Sequence, residues 1–211
     1  AVTGVQTCAL PISSGRPLHR RQRGLYDDAG SLAGVFCTHF IQASQAGDKA
    51  VVYVSFDRSP KNLLEKLGPL AENQHMTIVD CFTCGKGDGS EIFNRFYEKN
   101  GARWPYRIVK VNEPWDPRQV MEAIYGIHKP LREDVRFVFE SLTGMQDLWG
   151  GEEQILKFYT HTCPQLYELN TIAYWIAEKA AHSVKLKAHI NQIAQVAMDL
   201  SMRRGDRKSV V

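Results

Sequence analysis

No run of eighteen apolar residues occurs in the chain, so no segment is written as a membrane-spanning helix. Charge of one sign is missing too: 26 basic side chains against 23 acidic ones leave a formal net charge of only +3. Part of that excess sits in Asp206–Val211, where Arg207 and Lys208 outweigh one acid. Nucleic-acid binders carry a basic stripe; none stands outside residues 13–23, so nucleic acid is not expected as a partner. Cysteine is scarce, five in 211 residues, which excludes a disulfide framework and suits the reduced thiols of a cytoplasmic protein. There is no internal repeat and no low-complexity linker. What is present is ordinary, with 44% hydrophobic and 23% charged residues, in a chain long enough for one domain with a sizeable core.

The two ends read differently from the middle. Val2–Ile12 and Asp206–Val211 resemble translated sequencing-adapter sequence, so residues 1–12 and 206–211 are set aside from fold reasoning. Ser13–Arg23, basic and without an acid, is treated as junctional. The domain is therefore expected over residues 24–205, N-terminally truncated and lacking its first strand.

Ala50–Phe56 is short, β-branched and apolar at nearly every position, the pattern of a parallel strand covered on both faces. Similar runs follow at Met76–Phe82, Tyr106–Val111, Val135–Phe139 and Thr171–Ala177. Helical patterns lie between them. Ala33–Ala46 precedes the first run, and Ser59–Leu70 opens on a Ser-Pro cap. Ser90–Lys99 gathers Ile92, Phe93, Phe96 and Tyr97 on one side, and Asp116–His128 opens on Asp-Pro. Gly150–Leu169 reads as a longer helix that Pro164 should kink or break. Lys185–Ile193 reads as a last helix or turn and Val196–Ser201 as an edge strand. Strands alternating with helices predict an α/β, doubly wound, mainly parallel sheet. In such sheets the ligand crevice lies outside the carboxyl ends of the strands, which directs attention to the residues after Phe56, Phe82, Phe139 and Ala177.

Three segments in order carry a family resemblance. Asp28-Ala-Gly-Ser-Leu-Ala-Gly34, His39-Phe40-Ile41 and Val52-Tyr-Val-Ser-Phe-Asp-Arg-Ser-Pro60 form the first. Val135–Gly144, with Phe-Glu-Ser-Leu-Thr-Gly at its end, is the second. The third is Ala173–His182 leading to Ile193-Ala-Gln-Val196. Together they resemble the KaiC-like branch of the RecA superfamily of P-loop ATPases. That resemblance implies a RecA-like fold, a nucleotide loop at Gly30, Ser31, Leu32, Ala33 and Gly34, and catalytic carboxylates at Asp57 and Glu140. It also implies assembly as a homo-oligomer, or with a protein partner, through RecA-type subunit interfaces. Lys185 and Lys187, just beyond the His182 turn, would face a neighbouring subunit.

The resemblance fails where the chemistry is hardest. A working loop needs a lysine for the β- and γ-phosphates and a hydroxyl for Mg²⁺. Ala33 stands at the lysine's place, Gly34 at the hydroxyl's, and Leu32 at a glycine. A charge-assisted hydrogen bond contributes about 1.5–3 kcal/mol, so losing the lysine alone weakens phosphate binding by about one to two decades. The paired glutamates of the family read Asp57 and Arg58, and its Walker B aspartate reads Glu140. Binding of ATP and Mg²⁺ is therefore expected to be weak at most, and ordinary hydrolysis is not expected. The expectation is a non-hydrolysing domain with a regulatory or assembly role. Its rivals are a divergent ATPase using Glu140, Asp57 and a charge from elsewhere, Lys86 among the candidates, and a recombinase-like nucleic-acid module.

Two further constellations stand out. Cys81 and Cys84 have zinc-knuckle spacing, but a structural zinc needs four ligands and only His161 and Cys163 remain, on a distant helix. No metal site is expected, and Cys81 reads as a buried strand residue. Gly85, Lys86, Gly87, Gly89 and Ser90 lie in a Gly-rich loop opening a helix at a strand's carboxyl end, a candidate anion loop through its backbone N–H groups.

Overall fold

The computed structural model describes residues 6–8, 21–28, 32–100, 107–131 and 134–201. Strands β1 (Gln6–Cys8), β2 (Arg21–Asp27), β3 (Val51–Ser55), β4 (Met76–Asp80), β5 (Arg107–Lys110), β6 (Arg136–Phe139), β7 (Ile172–Glu178) and β8 (Val196–Asp199) make one sheet. Their order is β1-β8-β2-β7-β6-β3-β4-β5. Every pairing from β8 to β5 is parallel; β1 alone runs antiparallel, against β8. The helices are α1 (Leu32–Ala46), α2 (Pro60–Leu67), α3 (Glu91–Asn100), α4 (Pro117–Leu131), α5 (Leu142–Trp149), α6 (Glu152–Glu168) and α7 (Val184–Ile193), with a 3-10 turn at Gly68–Glu72. None of the described helices is long and apolar enough to cross a membrane.

Side-chain alternation sorts the core into two layers. Val52, Val54, Phe137 and Phe139 pack with Val120 and Ile124 of α4, Met145 and Trp149 of α5, Phe158 and Tyr159 of α6, and Ile190 of α7. Val51, Tyr53, Ile78 and Val138 face the other way, onto Cys37 and Ile41 of α1 and Leu63, Leu64 and Leu67 of α2. All five residues of β3 are buried. Covered faces on both sides explain why the strands read as unbroken apolar runs. The doubly wound α/β architecture expected from the sequence is the one observed.

Four details differ from the expectation. A strand does precede α1: Arg21–Asp27 pairs along seven residues with β7 and along four with β8. It begins inside the basic segment set aside as junctional, and it is held by side chains that look unsuited to a core strand. Gln22 is fully buried because its Oε1 accepts from Trp175 Nε1 at 3.0 Å, and Arg23 Nη1 donates to Tyr174 OH at 2.7 Å. Secondly, β8 is no edge strand, since β1 lies outside it. Thirdly, the long helix expected at Gly150–Leu169 starts only at Glu152, and a separate α5 precedes it. Gly150 (φ 77°) and Gly151 (φ 150°) make the corner, in conformations open to glycine. Fourthly, Pro164 does not end α6. Phe158, Tyr159, Cys163 and Leu166 bury one continuous face through it, and that packing outweighs a proline cost of about 3 kcal/mol.

Candidate functional site

Four adjacent strands, β2, β7, β6 and β3, end on one side of the sheet, and each delivers a carboxylate there: Asp27, Glu178, Glu140 and Asp57. A cavity of about 410 Å³ lies among them, completed by Ala33, Gly34 and Cys37 of α1, Arg58, Lys66 of α2, and Thr143 of α5. Local capping sets the helices around it. Ser59 accepts from Asn62 N to start α2, and Ser141 accepts from Gly144 N at 2.8 Å to start α5.

Glu140 is buried, and both of its oxygens are engaged. Oε2 accepts from Ser55 Oγ at 2.7 Å, Oε1 accepts from Arg58 Nε at 2.8 Å, and Lys66 Nζ stands 3.6 Å from the same oxygen. Around this charge the Tyr53 phenol is held well above its ordinary pKa, first by burial and then by Glu140. Burial likewise pushes the Cys37 thiol up to about 12, against a partial lowering by Lys66.

Asp57 Oδ1 accepts from Lys86 Nζ at 2.5 Å, and Lys86 also reaches Asp147 at 2.8 Å. Burial alone would lower Lys86, but its bonds to Asp147 and Asp57 raise it above the ordinary lysine value. Asp57 lies close over α5, where a methyl group on Gly144 would stand 2.6 Å from Oδ1. Asp27 meets the start of α1: its Oδ2 accepts from Ala33 N at 3.3 Å. Its Oδ1 is buried and accepts from no described residue.

Of the five residues expected as the nucleotide loop, Gly30 and Ser31 lie outside the described residues. Leu32, Ala33 and Gly34 form the first turn of α1. Lys66 Nζ lies 3.9 Å from the position a Gly34 Cβ would take. Asp57 and Glu140 do come to one cavity. The Gly85–Ser90 segment is a tight turn that does not itself line the cavity and meets its wall only through Lys86 on Asp57. Gly87 N donates to Phe82 O at 2.8 Å, Gly89 N to Thr83 O at 2.9 Å and Ser90 N to Gly87 O at 3.0 Å. These N–H groups are therefore already satisfied within the protein, and a methyl on Gly85 would run into the Cys81 carbonyl.

Cys81 is fully buried, and the described residues contain no group of three or more His, Cys, Asp or Glu side chains able to hold a metal. His182 Nε2 lies 3.1 Å from Thr143 Oγ1, with its Nδ1 3.8 Å from Glu152 Oε1. Lys185 is exposed, while Lys187 Nζ donates to Lys179 O at 3.1 Å.

Sequence reasoning missed Asp27 and Lys66, and it pointed to the position after Ala177 without giving Glu178 a role. Glu178 ends a recognised strand and could have been found by counting to the end of its apolar run. Asp27 could not, because the residues of its strand carry no strand pattern. Lys66 sits beside Leu63, Leu64 and Leu67 on a short helix, and nothing local says which way its ammonium turns.

No family model matches the sequence, and no curated protein matches it either. Among solved structures, the crystal structure of a KaiC-like protein from the hyperthermophilic archaeon Pyrococcus horikoshii is similar to this chain, with a TM-score of 0.56 and 17% identity. The match covers 89% of this chain and 74% of that one. At that identity the likeness shows the fold alone, a RecA-like doubly wound α/β fold similar to that of the neighbour.

Proposed function

We propose that the chain is a RecA-like domain that does not hydrolyse ATP and serves as a regulatory or assembly module. The observation that carries this reading is the start of α1. A helix N-terminus is where a P-loop fold seats phosphate, on free N–H groups and the positive end of the dipole. Here Asp27 puts its own carboxylate on the Ala33 N–H, so an anion of the protein occupies part of that position. Three further features agree. Ala33 and Gly34 supply neither ammonium nor hydroxyl. Glu140, the position that would hold a metal-bound water, is already bonded to Ser55 and Arg58. Asp57, the position of the base, is bound to Lys86. The cavity lining holds four carboxylates against two cationic side chains, and with Lys86 pairing Asp57 an acidic excess still remains to oppose a polyanion.

One observation favours the rival, a divergent ATPase. Lys66 brings a cation beside Gly34 from within the same chain. Its approach to Glu140 opposes that use, because a phosphate would have to draw it away from a buried carboxylate. The discriminating measurement is titration with a fluorescent ATP analogue, with and without Mg²⁺, alongside a phosphate-release assay. The expected result is no saturation at about 1 mM, a binding free energy weaker than about −4 kcal/mol, and no release. Mg²⁺-dependent saturation with turnover would establish the ATPase instead. The assembly role implies self-association or a protein partner through RecA-type subunit contacts, which light scattering of the purified chain reads directly.

A further inference from the structure

A second cavity, of about 560 Å³, lies in the groove between α4 and α6. Met121 and Tyr125 of α4 and Phe158 of α6 give it an apolar lining, and Trp115, 52% exposed, stands next to the lining residue Asp116. The two rims carry opposite charge. Glu122 lies on the α4 side, and Lys157 and His161 lie on the α6 side. Arg118, one turn before Glu122, is committed to Asp116 at 2.8 Å. Neither Glu122 nor Lys157 has an ion pair among the described residues. Gly126 adds an independent observation. It lies one turn beyond Glu122 and is exposed, and a Cβ there would meet nothing within 4 Å. Glycine inside a helix is destabilising relative to alanine, and no contact among the described residues requires one at this position. Close approach of a helix from another chain does.

We propose that the α4–α6 groove is a self-association surface, occupied by α4 of a second copy of this chain. An acidic rim and a basic rim flanking one groove make a surface complementary to itself. A two-fold axis laid along the groove sets α4 of each copy on α6 of the other, so the Glu122–Lys157 contact forms twice. A partner whose surface carries charge of one sign would meet a like-charged rim on one side. The inference rests on the assembly reading and gives that reading a face and a partner, away from the cavity at the strand ends.

The test is sedimentation velocity of the full chain over a wide range of concentration, at low and high salt. A concentration-dependent dimer is expected, weakened by salt because exposed charge pairs are screened. Glu122→Lys and Lys157→Glu are each expected to weaken the dimer about tenfold or more, and the two together to restore it, since the reversed rims match again. Gly126→Ala is expected to leave the melting midpoint of the chain unchanged or higher. Gly126→Leu, whose side chain enters open space in the single copy, is expected to abolish the dimer while the fold still melts cooperatively. A dimer that both charge reversals and Gly126→Leu leave intact overturns the proposal, putting the contact on another face and sparing the assembly reading. A chain monomeric at every concentration also overturns it, and removes self-association from that reading as well.

Discussion

Cys37 illustrates how a single residue takes its chemistry from its surroundings. It lines a cavity, yet burial pushes its thiol up to about 12. At pH 8 only about one part in ten thousand would be thiolate, the reactive form. Cys81 and Cys163 are raised by burial as well, whereas Cys84 is half-exposed on the Gly-rich turn. Among these four thiols, iodoacetamide at pH 8 is expected to modify Cys84 first, and peptide mapping by mass spectrometry reads the order. Modification of Cys37 as fast as Cys84 would contradict the buried setting. The spacing Cys81-Phe-Thr-Cys84 was visible in the sequence, but the pair's inequality came from the strand end, which buries one sulfur and leaves the other at the rim.

At the scale of the element, α4 shows a polar residue bound into a core. His128, in its last turn, is buried, stacks on Phe137 with ring centroids 6.2 Å apart, and has an Nε2 without a partner among the described residues. Burial lowers its pKa below the ordinary 6.5. The unfolded chain takes up this proton as pH falls through about 6.5, while the folded chain does so only lower. Stability therefore falls with pH between those two values, and His128 contributes no slope above 6.5. His182, also lowered chiefly by burial, adds the same sign. Thermal melts at pH 7, 6 and 5 should show a falling midpoint, and His128→Leu should flatten that fall. An unchanged pH profile in the variant would remove His128 from the account. Helical periodicity marked α4 correctly in the sequence. It could not mark the end of α5 or the survival of α6 past Pro164, because both depend on which faces the sheet covers.

For the whole molecule, the row of strand ends decides what can bind. A ligand present at a thousand times its Kd stabilises a fold by about 4 kcal/mol, which for a domain of this size is a shift in Tm of about 8–16 °C. If the cavity excludes triphosphates, 1 mM Mg-ATP should move the melting midpoint by less than about 1 °C. A shift of several degrees, lost on Lys66→Ala, would mean that Lys66 had taken over the missing lysine's part. The crevice at the carboxyl ends of the strands was legible from the strand–helix alternation alone, and so were Asp57 and Glu140 as its occupants. The cations that meet them were not, since Lys66 and Arg58 reach Glu140 across 74 and 82 residues of chain.

The sequence by itself determined the layered parallel architecture, most strand and helix positions, and the absence of the ammonium and hydroxyl at Ala33 and Gly34. Those are properties of local pattern and residue identity, and period-two and period-3.6 burial writes them directly into the chain. Only the tertiary structure decided that Arg21–Asp27 is an interior strand, that Asp27 caps α1, and that Asp27 and Glu178 are left side by side while Arg58, Lys66 and Lys86 serve other carboxylates. Periodicity fixes which side of an element a residue occupies. The partner it finds there depends on strand order and register, contacts between segments far apart in the chain that no local pattern encodes.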